Sequence, residues 1–378
     1  MKAAYLLLST LRLALGIKFI AQVSPEKNLE TVIEEIFPQG YERDQVERLS
    51  IGLGFQAIYG DFSEQVLENL FFDGRVSAIS VDRNLSASEY IIQEHAPAHL
   101  ARLSQKAPLQ TPTGVFIYHS NAGNGVDVYL LDSGINGDHP ELRGRVTKLA
   151  DFTKEENITG DPHGHGTAVA GVVGSVTYGV AKKCNLVDVR IADSTGKARL
   201  LSVLQGLEFI SKVAPMTERP SVALLPYTIW QNVILNSAVD AMISESRVPL
   251  VVAAGNFNTS SCNFSPASAS KAIVAGAIDT AKADTLAPFT NSGPCVDVFA
   301  PGVNVETTHH NSSEAEIVQR SGTSISSGLT AGLMAYIMSM GYNPVEALYR
   351  MKSMSVKGGI STFGPHQAGT PNLILQNL

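Results

Sequence analysis

Residues 126–134 read VDVYLLDSG, an apolar run that ends in Asp132 and a glycine turn, and this stretch decides the fold. Similar apolar runs recur downstream and alternate with amphipathic, helix-like stretches. The recurring runs are CNLVDVRIA (184–192), VALLPY (222–227), VPLVVAAGN (248–256) and KAIVAGA (271–277). Near-continuous apolar strands separated by helices are typical of a parallel sheet that is covered on both faces. The sequence therefore predicts an α/β domain whose reactive groups gather at the carboxyl ends of the strands.

The first part of the chain has a different pattern. Between residues 17 and 84, alternating apolar runs and amphipathic stretches predict the order strand, helix, strand, helix, strand, which is typical of a small α+β domain. Residues 85–124 are rich in Ser, Ala, Pro and Gly, so we interpret them as a linker that runs into an extended surface segment. We therefore expect a small domain over residues 17–94 and a large domain over residues 95–378.

The N-terminus has the pattern of a signal peptide. Lys2 precedes an apolar stretch, and residues 14–16 (ALG) form the small-x-small pattern that a signal peptidase cuts. Residues 1–16 are therefore predicted to be a signal peptide, although Arg12 interrupts the apolar stretch and leaves a buried helix as the alternative. Candidate N-glycosylation triplets begin at Asn84, Asn157, Asn258, Asn263 and Asn311. Together these features favour the secretory pathway, where disulfides also form.

Composition excludes several kinds of partner. The chain has 28 basic and 35 acidic residues, and its formal net charge of -7 opposes binding to nucleic acid. No later stretch reaches the roughly 18 unbroken apolar residues that a membrane span requires. With 44% hydrophobic and 17% charged residues, the chain is typical of globular proteins.

Three polar motifs supply the groups that activate a serine. Asp132 ends a predicted strand, His165 lies in HGHGTAVAG (163–171), and Ser324 follows SGT before an apolar, helix-like run. A serine hydroxyl needs a base to take its proton, and that base needs a carboxylate to fix its tautomer. Taken singly, the motifs have other readings, namely a glycine turn, a loop histidine or two-histidine metal site, and a helix cap. Their combination predicts a catalytic triad.

A fourth polar residue, Asn256, ends the run VPLVVAAGN on the same sheet edge as Asp132. Its side-chain amide is a candidate donor to the oxyanion of a tetrahedral intermediate. The order Asp, His, Ser along the chain excludes an α/β-hydrolase esterase, which has the order Ser, Asp, His and a Gly-x-Ser-x-Gly elbow. The predicted chemistry requires no cofactor.

The motif order and the surrounding sequence resemble the subtilisin family, and more closely its fungal branch of proteinase K and cerevisin. The resemblance runs from about residue 96 to residue 377 and includes APAHLARLS, YGVAKKCNLVDVR, AAGNFN, SPASASKAI and CVDVFAPG. Within that branch the chain is most similar to divergent yeast members linked to spore-wall formation. The resemblance implies a self-processing serine endopeptidase that acts as a monomer on proteins or peptides. Such an enzyme would be secreted, held in the cell or spore wall, or sent to the vacuole.

The resemblance also implies roles for single residues. Asp132 would orient His165, which would act first as general base and then as general acid. Ser324 would attack the substrate, and Asn256 would help to hold the oxyanion. Residues 17–94 would be a propeptide that chaperones folding, inhibits the enzyme and is then cut off.

Two structural features follow from the same resemblance. Asp297, within CVDVF, matches a calcium-binding aspartate of proteinase K, which makes structural calcium a candidate. Cys262 and Cys295 match a disulfide of related bacterial enzymes and lie on loops after successive predicted strands. That pairing would leave Cys184 as a free thiol.

The chain departs from the family at residues 226–229, where Pro-Tyr-Thr-Ile stands in place of Ser-Leu-Gly-Gly. In the family this strand pairs with the substrate backbone, and its glycines line the pocket for the residue before the cut. The larger side chains predict a shallower pocket and a preference for small residues. They also leave open an alternative function, in which the protein keeps the protease fold, cuts only itself or nothing, and serves as a binding or structural component.

Overall fold

The computed structural model describes residues 18–37, 45–82, 90–111, 113–155, 158–311, 316–360 and 367–378. The contacts between residues divide the chain into two compact units, residues 1–87 and residues 88–378. The predicted signal peptide and the candidate glycosylation sites Asn84 and Asn157 lie outside the described residues. Among the described residues, no helix is both long and apolar enough to cross a bilayer.

In the described residues, the first unit forms a four-stranded antiparallel sheet with two helices. Its elements are β1 (Phe19–Val23), α1 (Leu29–Ile36), β2 (Glu47–Ile51), β3 (Phe55–Gly60), α2 (Glu64–Phe72) and β4 (Val76–Val81). The strands have the spatial order β2-β3-β1-β4. The side chains of Asn28 and Ser63 cap the two helices by accepting from main-chain N–H groups of the first turns. A separate apolar cluster, which includes Phe19, Ile33 and Leu70, forms the core of this unit.

One element of the first unit differs from the sequence prediction. The predicted order has one strand between the two helices, where the apolar alternation covers residues 49–62, but the chain there forms the hairpin of β2 and β3. The turn at residues 52–54 reverses the chain, and Gly52 has a φ of 57°, a left-handed conformation that glycine adopts without strain. The apolar alternation continues through the turn and therefore hides it.

The second unit is built on a large, mainly parallel sheet. Its early strands are β7 (Asp127–Asp132), β8 (Val146–Asp151), β9 (Asn185–Arg190), β10 (Ser221–Leu225) and β12 (Leu250–Ala253). Its later strands are β14 (Ile273–Asp279), β15 (Thr285–Leu286), β16 (Val298–Pro301), β19 (Val356–Lys357) and β20 (Leu373–Ile374). The strands follow the order β19-β20-β16-β14-β12-β10-β7-β9-β8, and β15 pairs with β14 in the antiparallel direction.

Helices cover both faces of this sheet. Along β7, Val128 and Leu130 point into one buried cluster, and Tyr129 and Leu131 point into the other. The first cluster includes buried side chains of the helices α4 (His165–Gly174), α7 (Thr323–Met338) and α8 (Pro344–Met354). The second contains α5 (Leu200–Val213) and α6 (Val233–Ser246). The predicted α/β fold is confirmed.

The division between the two units, after residue 87, lies inside the predicted linker, but most of the described part of that segment forms regular secondary structure. The segment forms β5 (Tyr90–Pro97), α3 (Ala98–Leu103) and β6 (Thr113–His119), and β5 pairs with β6. The expected domain boundary at residue 94 therefore falls inside β5. Leu100 and Leu103 are fully buried, and this burial fixes a helix that Ser, Ala and Pro alone do not predict.

Short two-stranded sheets complete the second unit. Strand β11 (Ile229–Trp230) pairs with β13 (Phe264–Ser265), and β17 (Val305–Thr308) pairs with β18 (Ile317–Arg320). The first pair follows β10 and β12 in the chain, on the side where the parallel strands end.

Candidate active site

Asp132 and His165 are joined directly. Asp132 is the last residue of β7 and is fully buried, and His165 is the first residue of α4. The His165 Nδ1 atom lies 2.7 Å from Asp132 Oδ1 and 2.9 Å from Oδ2. An ionised carboxylate can only accept hydrogen bonds, so Nδ1 carries a proton and donates a hydrogen bond to Asp132. Nε2 is therefore left as the basic nitrogen.

Two glycines allow the Asp132 turn and the start of α4 to approach so closely. Gly134 has a φ of 115°, and a Cβ atom there would lie 2.2 Å from the carbonyl oxygen of Gly160. A Cβ atom on Gly166 would lie 2.1 Å from the carbonyl oxygen of Gly134. Any larger residue at either position would push the His165 helix away from Asp132.

A second buried carboxylate, Asp161, holds the loop before α4. Its Oδ1 accepts from Ser133 Oγ and from the Gly164 N–H, both at 2.8 Å. Its Oδ2 accepts from the N–H and the hydroxyl of Thr167, both at 2.7 Å. Asp161 is not among the site residues predicted from the sequence. Because its donors come from both the Asp132 turn and the α4 start, it sets the position of His165.

The surroundings of His165 favour its charged form. Burial lowers the pKa of His165, but the charge of Asp132 and the hydrogen bond to it raise the pKa by more. The charge of Asp161 adds to the increase, and Arg320 opposes it. The net result is a pKa above the ordinary histidine value, which suits a general base that must hold a proton during catalysis.

Ser324 lies in the first turn of α7, directly after Thr323. Its Oγ donates to the main-chain carbonyl of Pro226 over 3.0 Å. Among the described residues, Ser324 makes no hydrogen bond to His165. The main-chain N–H of Ser324 also has no partner within the described ranges, as is usual at the start of a helix.

Asn256 lies beyond the end of β12 and is exposed. Its Oδ1 accepts from both the N–H and the hydroxyl of Thr323, each over 2.9 Å. The same hydroxyl accepts from the Gly255 N–H over 3.1 Å. These bonds fix the side-chain amide with its oxygen toward Thr323, so its NH₂ group points away and is available as a donor. Asn256 is predicted from its motif, whereas Thr323 is not among the predicted site residues.

Residues 226–229, where the sequence departs from the resemblance, contact the candidate catalytic residues. Tyr227 donates its hydroxyl to Asp132 Oδ1 over 3.3 Å, and its ring meets the His165 ring edge-on at 5.5 Å between centroids. Pro226 accepts from Ser324 as described above. The segment therefore touches all three predicted triad residues.

A group of stacked aromatic rings begins directly after this segment, at Trp230. Trp230 stacks on Phe264 with 4.7 Å between ring centroids, and Phe257 also stacks on Phe264, with 4.8 Å between centroids. Trp230 and Phe257 are 72% and 60% exposed, which leaves an aromatic rim open to solvent. An apolar pocket of about 240 Å³ lies nearby, lined among others by Leu200, Tyr227, Thr228, Ile229, Leu235 and Ser265.

Asp297 has partners that do not suit a calcium site. Its Oδ1 lies 2.6 Å from the Lys352 ammonium, and its Oδ2 accepts from the Val274 N–H over 2.8 Å. Within the described ranges, no three His, Cys, Asp or Glu side chains come together as a candidate metal site. Calcium requires six to eight oxygen ligands, and a lysine ammonium would repel it. The residues around Asp297 therefore do not fit the ion.

The predicted disulfide is present. Cys262 and Cys295 are bonded, and Cys184 is buried as a free thiol. Burial raises the pKa of Cys184 to about 12, so the thiol stays protonated and unreactive.

The parallel sheet, the buried carboxylate bonded to a histidine at a helix start, and a serine in the first turn of a buried helix together define a subtilisin-like serine protease. The family model described as Peptidase_S8, Subtilase family, matches residues 123–358. The chain therefore belongs to the subtilase family of serine endopeptidases, as the sequence resemblance predicted.

Relatives support this assignment. The chain is 37% identical to the subtilase-type proteinase RRT12 of Saccharomyces cerevisiae over 341 residues, which cover 85% of this chain and 68% of that protein. It is 35% identical to the subtilisin-like serine protease AsES of Sarocladium strictum, covering 85% and 80% of the two chains. A crystal structure of a cold adapted subtilisin-like serine proteinase superposes with a TM-score of 0.67 at 30% identity, covering 75% of this chain and 99% of that one.

Proposed function

We propose that this endopeptidase cleaves peptide bonds with Ser324 as nucleophile, His165 as general base and acid, and Asp132 as the carboxylate that orients it. The observation that carries the proposal is the pair of hydrogen bonds from His165 Nδ1 to the buried Asp132. That arrangement leaves the basic Nε2 free to accept a proton from a serine. Membership of the subtilase family supports the same assignment.

The proposed reaction begins when the Ser324 hydroxyl turns from the Pro226 carbonyl toward His165. Nε2 takes the hydroxyl proton while Oγ attacks the substrate carbonyl carbon, and Asp132 stabilises the resulting imidazolium. The oxyanion accepts hydrogen bonds from the Ser324 N–H and from the Asn256 side-chain amide. His165 then gives its proton to the leaving amine, and water releases the acyl group by the reverse sequence.

We also propose that the first unit is an inhibitory propeptide that the enzyme removes from itself. The separate core of this unit and its division from the second unit support a piece that can be cut away. The second unit holds α3 independently, because the buried Arg102 bonds Asp284 over 2.8 Å. The start of the mature enzyme would therefore stay attached after cleavage.

The proposed route passes through the secretory pathway. The disulfide is consistent with an oxidising compartment, and the candidate glycosylation residues Asn258, Asn263 and Asn311 are exposed. A role in forming the spore or cell wall is proposed on the sequence resemblance to the yeast members.

The second unit carries the proposed substrate groove. An extended peptide beside residues 226–230 would place one side chain toward the apolar pocket at Tyr227 and Leu235. The exposed rings of Trp230 and Phe257, both stacked on Phe264, would offer an apolar contact to the bound peptide. Weak general proteolysis with a preference for small residues before the cut is expected because Thr228 and Ile229 carry β-branched side chains where the resemblance places glycines.

The decisive experiment compares the wild-type chain with Ser324→Ala, each expressed in a host that lacks other maturation proteases. Wild-type protein should lose its N-terminal unit and hydrolyse casein and a peptide library. Ser324→Ala should keep the unit and hydrolyse neither. Equal processing of both forms would overturn self-cleavage, and equal hydrolysis by both would overturn the assignment of Ser324.

One observation favours a second candidate function. Ser324 bonds to Pro226 in place of His165, and the groove segment carries larger side chains than the family has. A protein of this kind would cut only itself, or nothing, and then serve as a binding or structural component. Processing of the wild-type chain without any hydrolysis of casein or peptides would select this candidate.

A further inference from the structure

Tyr227 adds a hydrogen-bond donor to a carboxylate that already has two partners. Asp132 Oδ1 accepts from the Ser133 N–H over 2.7 Å, from His165 Nδ1 over 2.7 Å and from the Tyr227 hydroxyl over 3.3 Å. The sequence resemblance places a leucine at position 227 in the family, and leucine has no polar group to donate. The hydroxyl of Tyr227 is therefore the group whose contribution to Asp132 can be removed and tested.

We propose that Tyr227 is a positioning residue that weakens His165 as a base by sharing the carboxylate of Asp132. The proposal rests on the proposed triad. It assigns to Tyr227 two separate effects on the histidine, one through its hydroxyl and one through its ring.

The hydroxyl acts through charge. Each hydrogen bond that a carboxylate accepts stabilises its negative charge and makes it a weaker partner for a cation. When His165 is protonated, Asp132 therefore attracts the imidazolium less strongly than a carboxylate without the tyrosine would. The Tyr227 hydroxyl remains a donor throughout, because burial first and the charge of Asp132 second raise its pKa far above the ordinary value.

The ring acts through packing. The two rings meet at an interplanar angle of 63°, so one edge contacts the face of the other. This contact restricts rotation of the imidazole about its bond to Cβ. Loss of the hydroxyl alone, as in Tyr227→Phe, leaves the ring contact in place and isolates the effect of charge.

Other charged and titratable groups around His165 are the same in the wild-type and variant proteins. They are Asp161 and His163 from the preceding loop, Arg320 from β18, and His310, whose ring lies against Gly164. Asp161 raises the pKa of His165 and Arg320 lowers it, and neither residue contacts Tyr227 through a hydrogen bond in the described part of the chain. A change of His165 titration on removing one hydroxyl is therefore attributable to the bond with Asp132.

The test compares the wild-type enzyme with Tyr227→Phe, and uses Tyr349→Phe, which removes an exposed hydroxyl elsewhere, as the matched control. The acid limb of kcat/KM against pH should move upward by about half a unit or more in Tyr227→Phe, since a hydrogen bond to a charged group is lost. The limb should not move in Tyr349→Phe. A Tyr227→Phe enzyme that loses activity without any shift of the limb would show a merely structural role and overturn the proposal.

A second readout does not depend on hydrolysis. The His165 pKa is measured by NMR titration of the imidazole in full-length Ser324→Ala, with and without Tyr227→Phe, and the signal is assigned by its loss in His165→Gln. The expected result is a higher pKa in the Tyr227→Phe form. Equal pKa values in the two forms would overturn the role of Tyr227 whether or not the enzyme is active. Absence of hydrolysis by the wild-type protein would instead overturn the proposed function and leave this measurement to decide the inference.

Discussion

Replacing Thr323 with valine should weaken the proposed oxyanion donor, Asn256, without changing the nucleophile. The Thr323 hydroxyl donates to Asn256 Oδ1 over 2.9 Å and accepts from the Gly255 N–H over 3.1 Å. Valine has nearly the same shape but makes neither bond. The Thr323 N–H still donates to Asn256, so the amide would keep one of its two anchors.

The size of the effect follows from these contacts. Complete removal of an oxyanion donor costs about 10²- to 10³-fold in kcat, so an amide that keeps half of its support should cost about 10-fold. KM should change little, because the oxyanion forms only after the substrate has bound. The buried N–H of Gly255 loses its acceptor, and this loss should lower the free energy of unfolding by about 1–3 kcal/mol.

The assay is a double-mutant cycle with Asn256→Ala, read as kcat on one peptide substrate. If Thr323 acts through Asn256, then Thr323→Val has no further effect once the amide is gone. Thr323→Ser keeps the hydroxyl and should retain the wild-type kcat. Full activity of Thr323→Val, or independent losses in the double variant, would refute the account of the oxyanion site.

Four further outcomes are expected. Replacing Cys262 and Cys295 with serine opens a loop with a sequence separation of 33 residues and should lower the free energy of unfolding in urea by about 3–4 kcal/mol; an unchanged midpoint would contradict this. EDTA, which removes calcium, should leave Tm unchanged because the Lys352 ammonium already neutralises the Asp297 carboxylate. A fall in Tm on adding EDTA would show a calcium site. Rebuilding residues 226–229 as Ser-Leu-Gly-Gly should raise kcat/KM on aromatic peptides about 10-fold if the groove regains about 1.4 kcal/mol of binding energy in the transition state. A wild-type enzyme that already prefers aromatic peptides would argue against a narrow pocket. Burial raises the pKa of Asp188 to about 7. Between about pH 4 and 7 the folded state therefore binds a proton that the unfolded state has lost, and the free energy of unfolding falls as pH rises. Urea titrations of Asp188→Asn should show a smaller fall of the free energy of unfolding over this range.

The sheet was predictable because its strands are buried on both faces and leave apolar runs in the sequence. The errors have equally local causes. The alternation of the first unit continues through the turn at Gly52 and hides a hairpin, and the composition of residues 85–124 hides the buried Leu100 and Leu103. Short-range patterns thus predict which elements exist, whereas burial by distant parts of the chain decides where they end.

The supporting residues of the site could not be read in the same way. A nucleophile, a base and a carboxylate are recognisable by type and motif, and Asp132 and His165 are the residues that the structure bonds together. Thr323 and Tyr227 are ordinary by type, and their partners lie 67 and 95 positions away in the chain. Their importance is set by contacts that only the folded sheet edge creates.

The departure at residues 226–229 links specificity to reactivity. In the family this strand serves the substrate, but here its carbonyl accepts from Ser324 and its tyrosine contacts both Asp132 and His165. A substitution that widens the groove at Tyr227 must therefore also remove a donor from the catalytic carboxylate. Widening at Thr228 and Ile229, which make no hydrogen bond to the triad in the described part of the chain, changes the pocket alone. Comparing variants at Tyr227 with variants at Thr228 and Ile229 separates an enzyme limited by its pocket from one limited by its base. Only the variants at Tyr227 should shift the pH profile of kcat/KM. Both kinds of variant should broaden the range of side chains accepted before the cut.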